Sequence, residues 1–196
     1  PLSFVTTTAA GITLTEPTLT TDKYDINGDG TNDAVYEITD VSELYWFANL
    51  VNTKAKDGGN NKANAILMNN ITVNENVIVD GALTSDTSSL NVWTAMGKTV
   101  FSSGWYGGWF DGNGKTIKFT GEINDGYNYL AAFRFEANAT VKSLTIDMSE
   151  AKAAFQNRFS AISAKADLTV ENCKFIGSTT ATKARAIIFG EGAAVG

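Results

Sequence analysis

Asp25-Ile26-Asn27-Gly28-Asp29-Gly30-Thr31-Asn32-Asp33 puts a side-chain oxygen at positions 25, 27 and 29, a glycine after the third, and another acid at 33. A hard cation such as Ca²⁺ takes about six to eight oxygens, and a short loop can wrap them around it. Gly30 allows the sharp turn because it reaches positive φ without a Cβ clash. The charge around the loop fits. Seven of the chain's 21 acids (Asp22, Asp25, Asp29, Asp33, Glu37, Asp40 and Glu43) lie between 22 and 43, with Lys23 the one base among them. That local excess equals the whole formal charge of −6, so a divalent ion there relieves self-repulsion.

The EF-hand pattern asks for Glu at the twelfth loop position. Here that position is Tyr36, Glu37 comes one residue late, and Val35-Tyr36-Glu37-Ile38 alternates like a strand. The shorter form D-x-N-x-D-G-x-x-D resembles the calcium loops between strands of FG-GAP propeller repeats and similar extracellular proteins. That resemblance implies Asp25, Asn27, Asp29 and Asp33 as ligands, with the backbone carbonyl of Thr31, and a structural Ca²⁺. The alternative is a solvated Asn/Asp/Gly turn, which the same residues favour.

Other chemistry is thin. Histidine is absent, which removes His triads, His general bases and ordinary zinc-enzyme sites. Cys173 is single, forms no intrachain disulfide, and is better read as a small buried apolar group than as a nucleophile. Trp105, Tyr106, Trp109 and Phe110 form an aromatic cluster, and Tyr127 and Tyr129 follow. Exposed rings at Trp105, Tyr106 and Tyr127 could stack on sugars, whereas Trp109 and Phe110 are expected to split between surface and core as a strand alternates. Asp111 and Asp125 could pair as glycosidase carboxylates, but Asp111 reads better as a turn residue. Asn172 reads as a turn or ladder amide.

These residues must be carried by a scaffold of short strands. The chain has 196 residues, is 43% hydrophobic and only 18% charged, enough for one globular domain with a core. Net negative charge without a basic patch argues against nucleic acid, and no apolar run approaches membrane-spanning length. With no initiator Met and no leader, the chain is expected to be a processed or excised piece. Asp40 with Glu43 is a capping-box pattern, and Leu44, Phe47, Ala48 and Val51 make one apolar stripe, predicting a helix over 41–52.

Beyond 60 the chain reads as β and repeats. Thr116-Ile117, Thr140-Val141 and Thr169-Val170 each open a strand. Before each lies a segment with a turn, around Trp109-Phe110, Ala132-Phe133 and Ala161-Ile162, and a further copy starts at Ile187-Ile188-Phe189 and reaches Val195. Val141, Leu144 and Ile146 share offsets with Val170, Cys173 and Phe175, and with Met68, Ile71 and Val73. Start points at 117, 141, 170 and 195 differ by 24, 29 and 25 residues. Such periods signal a stacked architecture, in which one copy cannot bury its apolar side alone. The expected fold is all-β, a right-handed parallel β-helix whose N-terminal end is capped by helix 41–52. Its diagnostic ladder is Ile117 over Val141 over Val170, with Cys173 against Leu144; should those three fail to share a face, that reading loses its basis. The competing reading is a β-sandwich. The last copy stops at Val195-Gly196, so a longer surface protein is expected.

Tyr36-Glu37-Ile38, Glu43 to Asn52, Ala65 to Ile71, Trp93 to Gly97, Phe110 to Ile117 and Glu171 to Gly177 resemble, in that order, the N-terminal part of bacterial adhesin-like surface proteins with a pectin-lyase-like β-helix and GLUG-type repeats. The resemblance covers 36–196 and leaves 1–35 as an N-terminal extended segment carrying the calcium-type loop. It implies a secreted, cell-surface, non-enzymatic module, serving as a stalk or as a face for glycans or surface proteins. The runner-up is a polysaccharide lyase-like enzyme or its glycan-binding portion. Such lyases use Ca²⁺, clustered acids and an Arg or Lys base; here the arginines are Arg134, Arg158 and Arg185, with Asp147 and Asp167 the nearest acids and no cluster beside them.

Overall fold

The computed structural model describes residues 13–53, 57–74, 78–79, 82–83, 93, 96–97, 106–123, 129–135, 139–153, 158–164, 168–177 and 184–190. Trp105, Asp125, Tyr127, Asp167 and Val195 lie outside them. Among the described residues the chain is mostly β with one helix, and its larger sheets are rich in parallel pairs and do not close on themselves.

Helix α1 (Val41–Asn52) forms where the sequence predicts it. Asp40 is extended and accepts the Glu43 N–H at 2.9 Å. Glu43 reaches back, its carboxylate accepting the N–H of Thr39 at 2.6 Å and the Thr39 hydroxyl at 2.7 Å. This is a capping box whose return bond falls one residue early. Leu44, Phe47, Ala48 and Val51 are buried as expected, but so are Tyr45, Trp46 and Leu50. The covered face is wider than one stripe because aromatic side chains meet it from several directions: Trp93 at 5.3 Å from the Tyr45 ring, Tyr36 at 5.5 Å from Trp46, Phe110 at 6.2 Å from Phe47.

An antiparallel hairpin of β1 (Thr18–Tyr24) and β2 (Asp33–Ile38) starts a six-stranded sheet. The sheet continues in parallel through β3 (Asn64–Leu67), β7 (Trp109–Asp111), β10 (Thr140–Lys142) and β13 (Thr169–Glu171). A second, all-parallel sheet stacks β4 (Ile71–Val73), β8 (Thr116–Ile123), β11 (Thr145–Ala153) and β14 (Lys174–Ile176). A third joins β9 (Tyr129–Phe135), β12 (Arg158–Ala164) and β15 (Ala184–Gly190). Between the first two copies, β5 (Ile78–Val79) and β6 (Ala82–Leu83) form a small antiparallel ribbon. From β7 onward, consecutive strands thus visit the three larger sheets in turn, and each lies in parallel beside its counterpart from the next copy. Strand β2 runs through position 35, the boundary expected between the N-terminal segment and the rest.

Three registered columns result. Ala65, Phe110, Val141 and Val170 align in the first sheet, and Ile71, Ile117, Ile146 and Phe175 in the second. Phe133, Ile162 and Ile188 align in the third. The expected partnerships of Val141 with Val170 and of Ile146 with Phe175 hold. The ladder Ile117–Val141–Val170 does not: Ile117 sits in the second sheet beside Ile146, and Phe110 takes the place expected for it. The Met68, Ile71 and Val73 offsets shift likewise, since Ile71 and not Val73 aligns with Ile146 through Ile117. The reason lies in the turns. Gly112-Asn113-Gly114-Lys115 separates β7 from β8, where only Ser143-Leu144 separates β10 from β11. Gly112 is required there, because a Cβ at that position would collide with the backbone of Ser143 and Leu144.

The core is one main cluster. Phe47, Phe110, Phe119, Phe133, Val141, Ile117 and Ile146 are all 0% exposed within it. Backbone bonds also tie successive turns together, as Gly112 N–H to Lys142 O and Ser143 N–H to Glu171 O, both 2.8 Å.

Candidate functional site

The loop 25–33 is the turn of the β1–β2 hairpin, with Tyr24 registered on Asp33 at its neck. Gly28 and Gly30 both take positive φ, at 76° and 85°. Asp25 organises the turn. One carboxylate oxygen accepts the N–H of Gly28 at 2.7 Å and of Asp29 at 3.2 Å, and the other accepts Gly30 N–H at 2.8 Å. Asn27 Oδ1 accepts Asp29 N–H at 2.9 Å, Asp29 Oδ1 accepts Thr31 N–H at 2.8 Å, and Asp33 Oδ2 accepts Ile26 N–H at 3.1 Å. The amides of Thr31 and Asn27 hold the Asp29 carboxyl below the usual carboxylate range. The loop therefore brings Asp25, Asn27, Asp29 and Asp33 into one turn, satisfied by its own N–H groups. Among the described residues no three His, Cys, Asp or Glu side chains converge as a metal group. The all-oxygen donor set is of the kind Ca²⁺ takes: one Asp25 oxygen is used up by the N–H groups of Gly28 and Asp29, while the other Asp25 oxygen and Asp33 Oδ2 each accept one N–H and keep a further lone pair.

The hairpin neck is tied by charge. Lys23 Nζ and the Tyr24 hydroxyl each donate to Glu37 Oε1 at 2.7 Å. Those two bonds hold the Glu37 carboxyl below its ordinary value, and the bond to Glu37 raises Lys23.

Behind the loop lies a feature the sequence did not disclose. Val35, Ile66 and Trp109 form a second apolar cluster, 0, 6 and 8% exposed, with Tyr24, Ile26 and Met68 packed on it. It occupies the opposite face of the six-stranded sheet from the main core, as alternation between Trp109 and Phe110 dictates. Lys142 Nζ stands 4.7 Å over the Trp109 ring and 3.5 Å from the Asp111 carboxylate. The sequence signals were an apolar Ile26 between two metal-type ligands and the alternation that sets Trp109 and Phe110 on opposite faces.

Of the three rings considered for sugar stacking, Trp105 and Tyr127 lie outside the described residues, and Tyr106 faces inward. Tyr106 is 0% exposed, and its hydroxyl lies 2.9 Å from the carbonyls of Ala63 and Trp109, to one of which it donates. Its ring packs edge-on to Phe47 at 6.1 Å, and burial pushes its phenol well above the ordinary range. Tyr106 is a core residue without an exposed face. Phe110 is likewise internal, 5.4 Å from Phe133.

Two of the acids considered for catalysis, Asp111 and Asp147, have structural partners. Asp111 Oδ1 accepts the N–H of Asn113 at 2.7 Å, the turn role expected of it. Asp147 accepts the N–H and hydroxyl of Ser149 at 2.9 and 2.7 Å. Arg134, Arg158 and Arg185 lie on β9, β12 and β15 and occupy no common register: Arg134 pairs with Ser163, Arg158 with Tyr129 and Ala184, Arg185 with Phe159. Cys173 is half-buried, and burial pushes its thiol up, away from nucleophilic character.

Asparagine amides link neighbouring copies, a role the sequence suggested only at Asn172. Asn64 donates to Ala34 O at 3.2 Å and accepts Trp109 N–H at 3.2 Å. Asn69 donates to Thr39 O at 3.0 Å, Asn113 to Leu67 O at 3.1 Å, and Asn70 accepts Thr116 N–H at 2.9 Å. These amides sit at strand ends, where ladder bonds run out. Asn172 itself adopts φ 51°, as Asn113 and Ser143 do near 50°, and so serves the turn.

No helix among the described residues is long and apolar enough to cross a membrane. No protein-family model, no curated protein and no solved structure matches this chain.

Proposed function

We propose that this chain is a right-handed parallel β-helix, a non-enzymatic, adhesin-like module of a bacterial cell surface that serves as a stalk or a ligand-binding face. The observation that carries the reading is the recurrence of register: counterpart strands pair in parallel in each of three sheets. Ile117, Ile146 and Phe175 are spaced 29 residues apart (146 − 117 and 175 − 146). A chain that returns to the same sheet once per copy coils, and stacked copies bury a continuous column. The column is not the Ile117–Val141–Val170 ladder on which the sequence rested; the alignment of Ile117 with Ile146 takes its place. In this reading α1 covers the first turn of the coil.

A rigid coil with polar outward positions suits contact with glycans or surface proteins. The engagement of Asp111 and Asp147 in local hydrogen bonds favours this over a polysaccharide lyase-like enzyme. A glycan array, paired with a lyase assay on acidic polysaccharides in calcium, separates the two. Binding without turnover supports the proposal. Unsaturated products that vanish in Arg134→Ala or Arg158→Ala overturn it. Tyr106→Ala is unsuited as a binding probe, because it opens the core; Trp105→Ala and Tyr127→Ala are the informative variants.

The loop 25–33 is proposed as a structural Ca²⁺ site, held by Asp25, Asn27, Asp29, Asp33 and the Thr31 carbonyl, that fixes the hairpin neck. A ligand at about 100 times its Kd stabilises a folded state by about 2.7 kcal/mol when it binds that state alone. Melting temperature should rise in excess calcium and fall back with chelator. Identical melts with no calorimetric binding exclude the site.

A further inference from the structure

The outward face of the six-stranded sheet has two registered rows. One runs Val35, Asn64, Trp109, Thr140, Thr169; the other runs Glu37, Ile66, Asp111, Lys142, Glu171. All but Val35, Ile66 and Trp109 are polar. These three lie together and are almost fully covered, although no second sheet packs on this face among the described residues. Their cover is supplied by Met68 and by Tyr24 and Ile26 of the hairpin.

We infer that β1 with its turn, residues 18–32, is a strap that closes over the Val35–Ile66–Trp109 strip and opens as a unit separate from the main core. Three observations carry this. The two apolar clusters share no residue, so the strap contributes nothing to the column of Phe110, Val141 and Ile146. Strand β1 has no buried residue, and Leu19 is 48% exposed. Its ladder to β2 also breaks register between Thr20 and Tyr24. An element with few buried contacts and solvent-facing hydrogen bonds belongs to the low end of local stability. Strand β2 stays behind on opening, because Ile38 is buried in the main core and Tyr36 packs against it. The device then has two states. Closed, the strip is dry and Lys142 caps the Trp109 ring. Open, an apolar strip flanked by Asp111 and Lys142 faces solvent, beside a freed edge of β2. This holds whether or not the turn takes a cation, so it is testable in chelator.

Hydrogen exchange on the whole chain, in chelator, reads it directly. Amides of 19–26 should exchange at least about tenfold faster than those of 140–148. Ile26→Asp should accelerate the first set by a further tenfold or so and leave the second unchanged, with increased quenching of tryptophan emission. Equal exchange in the two segments overturns the strap, as does an Ile26→Asp variant that changes neither set or both together. If Ile26→Asp does not fold, Ile26→Ala is read by the same criteria, and loss of the whole fold in both variants also overturns it.

Discussion

The β1–β2 hairpin and the columns of β7, β10 and β13 lie in one sheet but are held by different forces. In the columns, Phe110 and Val141 are fully buried and successive turns exchange backbone bonds, so cohesion is apolar and insensitive to charge. In β1 and its turn, the ties are Lys23 and Tyr24 on Glu37, the turn carboxylates on their own amides, and a cluster of three buried side chains, whereas β2 is also held by Ile38 in the main core. A repeated pattern that stacks builds its own interior. A single hairpin at the edge must borrow one, and here it takes it from the outer face of its neighbours.

The sharpest way to break the contrast is in the column. Phe110→Ala should cost about 3–5 kcal/mol and lower the melting of the whole chain in one transition, since Phe110 touches Phe47 and Phe133 across the core. Gly112→Val should cost about 1–3 kcal/mol by denaturant titration, because its side chain enters the backbone of Leu144. Tyr106→Phe tests a buried polar tie rather than packing. It should cost about 1 kcal/mol, the worth of one hydroxyl bond to Ala63 or Trp109. The smallest effect belongs to the hairpin: Glu37→Gln should cost no more than about 1 kcal/mol globally, as exposed pairs do, while loosening β1 in hydrogen exchange.

Acid should separate the regions in the same way. Glu37 and Asp29 have carboxyl groups held below their ordinary values by hydrogen bonds from Lys23, Tyr24, Thr31 and Asn27. Groups depressed in the folded state stabilise it above their unfolded pKa, and the contribution is lost as pH falls through the folded one. The hairpin should therefore loosen from about pH 4 downward. Amides of 140–148 should keep their protection through that loosening.

Much of the architecture was legible because the patterns were locally consistent. Asp40 and Glu43 mark the helix start, and Val141 with Val170 and Ile146 with Phe175 keep identical two-residue turns between them. Ile117 was misplaced because the copy that follows it has two Thr–β-branched strand starts. Thr140-Val141 and Thr145-Ile146 look alike, and a period of two cannot say which one Thr116-Ile117 joins. The longer turn at Gly112–Lys115 decides it only in three dimensions. The loop's oxygens were visible from spacing alone. The strip beneath it was not, since Val35, Ile66 and Trp109 are far apart in sequence and meet only through strand pairing.

Every column depends on the register between counterpart strands, and disulfide trapping reads that register in solution. In a Cys173→Ser background, Thr116→Cys with Thr145→Cys places two thiols on registered neighbours, whereas Thr116→Cys with Thr140→Cys pairs them only if Ile117 lies beside Val141. Rapid crosslinking under mild oxidation is expected for the first pair and none for the second. Crosslinking of the second pair, with the first remaining reduced, would contradict this register.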